Sequence, residues 1–233
     1  MKTRPILACF LLLLCLPVLS LAESCIINLI EDPEAVYTFN EHAPILEIVF
    51  PRVHSSDCVV LRMGSEVMML DASIPGADMQ ARIQSALQAM DVTHIDIAFN
   101  SHPHNDHIGG FSEVYKVAPF DKLIITYPED FNKYTTASLG FMAENNIPVE
   151  HAADGDILAF GPDGEVSMHV IQRDGPRWTE NDQSAMLLVT YGERSILFSA
   201  DVENHAQADY AANPPPAASM QIFSSIRITV WYA

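Results

Sequence analysis

The chain reads as an α/β (α+β) protein in which sheets pack together with helices on the outside. Three observations predict this. Apolar residues make up 49% of 233 residues, enough to bury a core of ordinary single-domain size. Short apolar, β-rich runs recur between turn signals. Longer stretches with apolar residues at helical spacing are interspersed among those runs.

The first 22 residues read as a targeting segment and not as fold. Lys2 and Arg4 form a short basic region, Ile6 to Leu16 is an unbroken apolar run, and Ser20-Leu21-Ala22 has the small-x-small pattern of a cleavage site. A membrane anchor is the alternative, but the run is short against the ~20 apolar residues of a spanning helix. Export to a secreted or periplasmic location is the expectation, with no membrane association after cleavage. Of four cysteines, Cys9 and Cys15 leave with this segment, and Cys25 and Cys58 remain. In an oxidising compartment these two are expected to pair, the alternative being two free buried thiols.

The elements then follow in order. Val59 to Met63 and Glu66 to Leu70 are strands joined by Gly64-Ser65, a hairpin signal. Pro75-Gly76 marks a turn. Asp78 to Met90 is a helix, because Met79, Ile83, Leu87 and Met90 line one face; core packing, not cofactor binding, explains those methionines. Ile95 to Phe99 is a short buried strand that leads into His102. Lys122 to Tyr127 is a strand, and Glu129 to Asn145 a helix that ends before Pro148. Strands follow at Asp156 to Phe160, Val166 to Gln172, Ser184 to Tyr191 and Ser195 to Ser199, the last two linked by Gly192-Glu193. Glu203 to Ala212 is a helix closed by Pro214-Pro215-Pro216. Residues 23–216 show no repeat or Gly/Ser linker and are read as one domain.

The strongest chemical signal is the loop His102-x-His104-x-Asp106-His107. Imidazole and carboxylate are the ligands zinc takes from a protein that offers no thiolate. His102 and His104 are two apart, so in an extended segment they face the same way. Gly109-Gly110 then lets the backbone enter a helix at close quarters. Three histidines and an aspartate within six residues are poorly explained by core packing; a metal-free surface cluster is the alternative.

This run, after a buried strand and before Gly-Gly, resembles the signature of the metallo-β-lactamase superfamily. Asp57-Cys58-Val59-Val60-Leu61 through Leu70-Asp71 is similar to the family's opening hairpin. Glu180-Asn181-Asp182-Gln183-Ser184 and Leu197-Phe198-Ser199-Ala200-Asp201 are similar to later motifs. The branch it most resembles includes the extracytoplasmic domain of DNA-uptake competence proteins. The resemblance implies an αββα sandwich and a metal-dependent hydrolase with two zinc ions, manganese or iron being accepted by the same ligands. It implies that His102 and His104 bind one metal, Asp106 and His107 the other, and that Asp201 bridges both. It places Asn181 where other members carry a third histidine. Asp106 would orient the attacking water and take its proton. His54, His94, His151, His169 and His205 have no motif support.

The formal net charge of −18 becomes −20 once Lys2 and Arg4 are removed, since they are the only charged side chains in the first 22 residues. So negative a surface repels nucleic acid and anionic membrane at long range. It does not exclude a phosphodiester or another small molecule as substrate, because a metal pair supplies local positive charge. Oligomeric state leaves no trace in the sequence.

The C-terminal end departs from the family. The resemblance calls for a final histidine ligand in a Pro-His-His-Gly-like motif, yet no histidine follows His205. The first two bases of the codons for Ile228, Thr229 and Val230 (AT, AC and GT) are those that His-His-Gly requires in a shifted frame. With permitted third bases, the shifted reading of residues 220–232 is ADIFKYPHHGMV. Residues 217–233 are therefore read as an aberrant, frameshifted tail on an incomplete domain, with weak metal retention, low stability and little activity as the consequence. The alternative is a genuine tail that forms a last strand.

Overall fold

Val59–Met63 (β2) and Glu66–Leu70 (β3) pair antiparallel, Val59 opposite Leu70 and Met63 opposite Glu66, around a turn in which Gly64 takes φ +60°. That hairpin is the middle of a seven-stranded sheet. The computed structural model describes residues 44–192, 194–213 and, for the backbone, 226–231. Leu46–Pro51 (β1) lies antiparallel to β2. Beyond β3 the sheet turns parallel through Ile97–Phe99 (β4), Leu123–Ile125 (β5) and Val149–His151 (β6). Parallel neighbours need crossovers. Ala77–Ala89 (α1) follows β3, the short helices Asn105–Ile108 (α2) and Phe111–Val114 (α3) follow β4, and Lys133–Glu144 (α4) follows β5.

A second, antiparallel sheet contains Ile157–Phe160 (β7), Val166–Ile171 (β8), Met186–Tyr191 (β9) and Arg194–Phe198 (β10), in the order β10-β9-β8-β7. Asn204–Ala212 (α5) follows it. Ile226–Trp231 (β11), within the segment read as an aberrant tail, pairs in parallel with β1, Leu46 opposite Ile226.

Burial explains the layering. Val60, Val67, Met69, Ala98 and Leu123 on one face of the first sheet pack with Ile83, Leu87, Phe111 and Met142 of the helices. On the other face Leu61, Met63, Met68, Phe99 and Ile124 meet Phe160, Val166, Met168, Leu187 and Val189 of the second sheet. Ile171, Met186 and Leu188 then pack with Val202, Ala206 and Tyr210 at α5. The result is helix, sheet, sheet, helix: an αββα sandwich. Strands covered on both faces read as continuous apolar runs, which is why VVLRM and EVMML lack a clean alternation. Each large side chain so buried contributes roughly 1.5–3 kcal/mol.

Several boundaries differ from the sequence reading. The helix expected from Glu129 begins at Lys133, because Asn132 is its N-cap, its Oδ1 accepting the Tyr134 and Thr135 N–H groups at 2.8 and 3.0 Å. The strand expected from Ile95 is ladder-paired only over β4, Ile95 itself making an isolated bridge to Phe120. β1 and β6 carried no expectation. Of the expected Cys25–Cys58 pair, Cys58 is a free cysteine among the described residues, 3% exposed in the first core layer, and Cys25 lies outside them. The targeting segment also lies outside them. Among the described residues no helix is long and apolar enough to cross a membrane.

Candidate metal centre

The parallel strands of the first sheet end side by side, and their C-terminal ends deliver the polar side chains, as open parallel sheets generally do. β3 runs into Asp71, and β4 runs into Asn100, Ser101 and His102. The Asp71 N–H donates to the Phe99 carbonyl at 2.8 Å. Asp71 is 4% exposed and held at φ +54°. A conformation so sparsely populated by side-chain-bearing residues persists only where the surroundings over-determine it. Here they do. Its carboxylate accepts from Asn100 Nδ2 at 2.7 Å, Ser101 N at 2.8 Å, Ser101 Oγ at 2.6 Å and His107 Nδ1 at 2.8 Å. Tyr127 donates its hydroxyl to Asn100 Oδ1. Burial works against the Asp71 charge, but the bonds from His107 and Ser101 and the imidazole charges outweigh it and hold the carboxyl below its ordinary range.

Through Ser101, that carboxylate fixes which nitrogen of His102 is bare. The Ser101 hydroxyl has one proton, and Asp71 takes it. Toward His102 Nδ1, 3.0 Å away, Ser101 Oγ therefore acts as acceptor. His102 thus carries its proton on Nδ1, and Nε2 presents a lone pair. His104 Nε2 lies 2.9 Å from Glu180 Oε2, so it is the protonated nitrogen and Nδ1 is bare. His102 Nε2 and His104 Nδ1 face each other at 3.1 Å. Two lone pairs so close repel unless a cation lies between them and a third donor. This is the arrangement of a metal ligand pair with its partners behind it. Burial, then the His107 charge, lowers the His102 pKa to about 4, leaving it neutral and ready to coordinate.

The third donor is Asp201, three residues past β10 and after Ala200 at φ +45°. Its Oδ2 is 3.8 Å from His102 Nε2 and 3.5 Å from His107 Nε2. The His107 imidazole beside it holds its carboxyl below the ordinary range in spite of burial. Burial disfavours the charged form of His107, but Asp201 and Asp71 outweigh it and raise its pKa to about 10. Two donor sets result, each with all its ligand atoms within 4.8 Å of one another: His102, His104 and Asp201, and Asp57, His107 and Asp201. They share Asp201.

Backbone packing locks the loop in place. Ala72 N donates to the His107 carbonyl at 2.8 Å and Gly110 N to the Ser73 carbonyl at 3.0 Å. A Cβ on Gly110 would sit 1.9 Å from the Ala72 carbonyl oxygen, so only glycine allows this approach.

Of the residues expected from sequence, His102, His104, His107 and Asp201 converge. The Asp106 carboxylate belongs to neither set, while its backbone carbonyl accepts the Asp57 N–H at 3.4 Å. Asn181 donates Nδ2 to Glu203 Oε1 at 2.8 Å, and its Oδ1 is buried with no hydrogen-bond partner. His54 and His151 face Asp78 and Glu129, and His94 groups with Asp96 and Asp121, outside both sets. Sequence reasoning missed Asp57, Asp71 and Glu180. Asp71, an acid at a strand's end like Asp201, carried the same signal.

The model of the metallo-beta-lactamase superfamily matches residues 51–218, well over half of the chain. Similar solved structures include a metallo-beta-lactamase motif mutant from Cronobacter sakazakii, at 17% identity over 64% of this chain and 59% of that one, with a TM-score of 0.44. A subclass B3 metallo-beta-lactamase from a soil metagenome library, MEM-A1, is 14% identical over 64% and 58%, at 0.46. CmlA, a diiron beta-hydroxylase from Streptomyces venezuelae, is 18% identical over 74% and 33%, at 0.45. The chain spans less than two thirds of each of these structures. No curated protein matches it. On the family match, which covers β2 to β10, the histidine loop and Asp201, the chain belongs to the metallo-beta-lactamase superfamily.

Proposed function

We propose that the chain is an exported, metal-dependent hydrolase whose ions sit between the loop His102–His107 and Asp201. One observation carries the reading: two donor sets share a single carboxylate. His102, His104 and Asp201 would hold one ion. His107 and Asp201 would hold the other, with Asp106 offered by the same loop. Zinc suits the imidazoles, and manganese and iron accept the same donors. Bound there, two such ions lower the pKa of a water from about 15.7 toward about 7 and stabilise negative charge developing on the substrate.

The chain's own residues do the positioning. Asp71 holds His107 by Nδ1, and through Ser101 it fixes the tautomer of His102. Glu180 does the same for His104. Asp106 is assigned to orient the attacking water and accept its proton. The substrate is a phosphodiester, a reading supported by resemblance to the competence-type branch, with a β-lactam or lactone as the alternative. Metal-loaded protein is assayed on bis(p-nitrophenyl) phosphate and on nitrocefin. Turnover of the first supports the proposal, and turnover of nitrocefin alone replaces it with the alternative.

A second reading is an inactive metal-binding remnant, since residues 217–233 carry no Pro-His-His-Gly-like motif. DNA covering Pro214 onward, translated in all three frames, separates the two. A shifted frame encoding Pro-His-His-Gly supports the frameshift, and its absence from every frame rejects it.

A further inference from the structure

Asp57 stands two residues ahead of Val59, the start of β2, between Ser56 and the buried Cys58. Its carboxylate completes the second donor set with His107 and Asp201. Three features hold it there. Its N–H donates to the Asp106 carbonyl at 3.4 Å, and its carbonyl accepts the Ser73 N–H at 2.8 Å. The preceding Ser56 hydroxyl is 2.6 Å from Ser73 Oγ. Asp57 is thus tied by backbone to the histidine loop and to the segment after β3, which itself contacts Gly110.

We infer that Asp57 is a direct ligand of the second metal ion. The inference rests on the two-metal reading above. The donors of the second position are one imidazole and two carboxylates, one of them the Asp201 carboxylate shared with the first position. Replacing an imidazole by a carboxylate shifts the donor set toward oxygen, so the second position accepts Mn(II) more readily than an imidazole-rich site would.

The test is equilibrium dialysis of the whole chain against buffered Mn(II) or Zn(II), with metal per chain counted by mass spectrometry. Wild type is compared with D57N and D57A, and circular dichroism verifies the fold. Wild type is expected to hold two ions. Both variants are expected to keep one and to bind the second at least ~10–100-fold more weakly, since loss of even an outer partner of a ligand costs that much. Two ions held with unchanged affinity by folded D57N and D57A would overturn the inference and leave the functional reading standing. One ion on wild type, lost in a folded H102A variant, would also overturn it and leave the first site standing. No ion on wild type would overturn both.

Discussion

Replacing Asp71 by asparagine exchanges one carboxylate oxygen for an NH2 group and tests the network that orders the site. The carboxylate accepts four hydrogen bonds and donates none. An asparagine can keep its oxygen toward Asn100 Nδ2 and Ser101 N. Its amide then presents protons to the Ser101 hydroxyl and His107 Nδ1, donor against donor. Two charge-assisted bonds are lost, each worth about 1.5–3 kcal/mol. Rotation of the Ser101 hydroxyl and a tautomer change at His107 recover part of this, so the expected loss is about 3–5 kcal/mol, the range for removing one partner of a buried pair. Against a typical stability of about 5–15 kcal/mol, the variant stays folded but with a clearly lower midpoint. Guanidinium denaturation followed by circular dichroism reads the difference, with the exposed D121N as control, expected within about 0.5 kcal/mol of wild type. A loss below about 1 kcal/mol in D71N would show that Asp71 does not organise the site as its hydrogen bonds imply.

Three further outcomes follow from other parts of the structure. G110A places a Cβ against the Ala72 carbonyl oxygen and the Gln80 side chain; it should cost about 1–3 kcal/mol in thermal or chemical denaturation, and wild-type stability would contradict the close approach. Burial pushes the Cys58 thiol up, and the residue is 3% exposed. Iodoacetamide should therefore label it only after non-reducing unfolding, as mapped by mass spectrometry; labelling of the native protein, or none on unfolding, contradicts this. Asp182 is 1% exposed and accepts N–H groups from Thr179 at 3.1 Å and Ala206 at 3.2 Å, bonds that outweigh its burial and lower its pKa. The stabilisation from a depressed carboxyl is present above the unfolded value near 3.9 and lost as pH falls through the folded value. D182N should thus be less stable at neutral pH and lose less on acidification than wild type, in urea titrations across that range.

How much of this was legible depended on sequence distance. The histidine loop announced itself because four ligand-type residues fall in one short stretch after an apolar strand. The β2–β3 hairpin was readable from Gly64 and its flanking runs, with the same boundaries as in the structure. The start of α4 was not, because Glu129 and Asp130 look like first-turn acids while Asn132 forms the cap. β1 hid behind the prolines at 44 and 51. Asp57 and Glu180 were missed for a tertiary reason. Glu180 meets His104 across 76 residues of sequence, and Asp57 comes to His107 and Asp201 from a separate segment ahead of β2.

In the proposed site Asp201 serves both metal positions, and the metal content of D201A tests that sharing. At a free Zn(II) or Mn(II) concentration that loads wild type with two ions, D201A should retain less than one, while H102A, which touches a single set, should keep about one. A folded D201A that holds as much metal as wild type would contradict the claim.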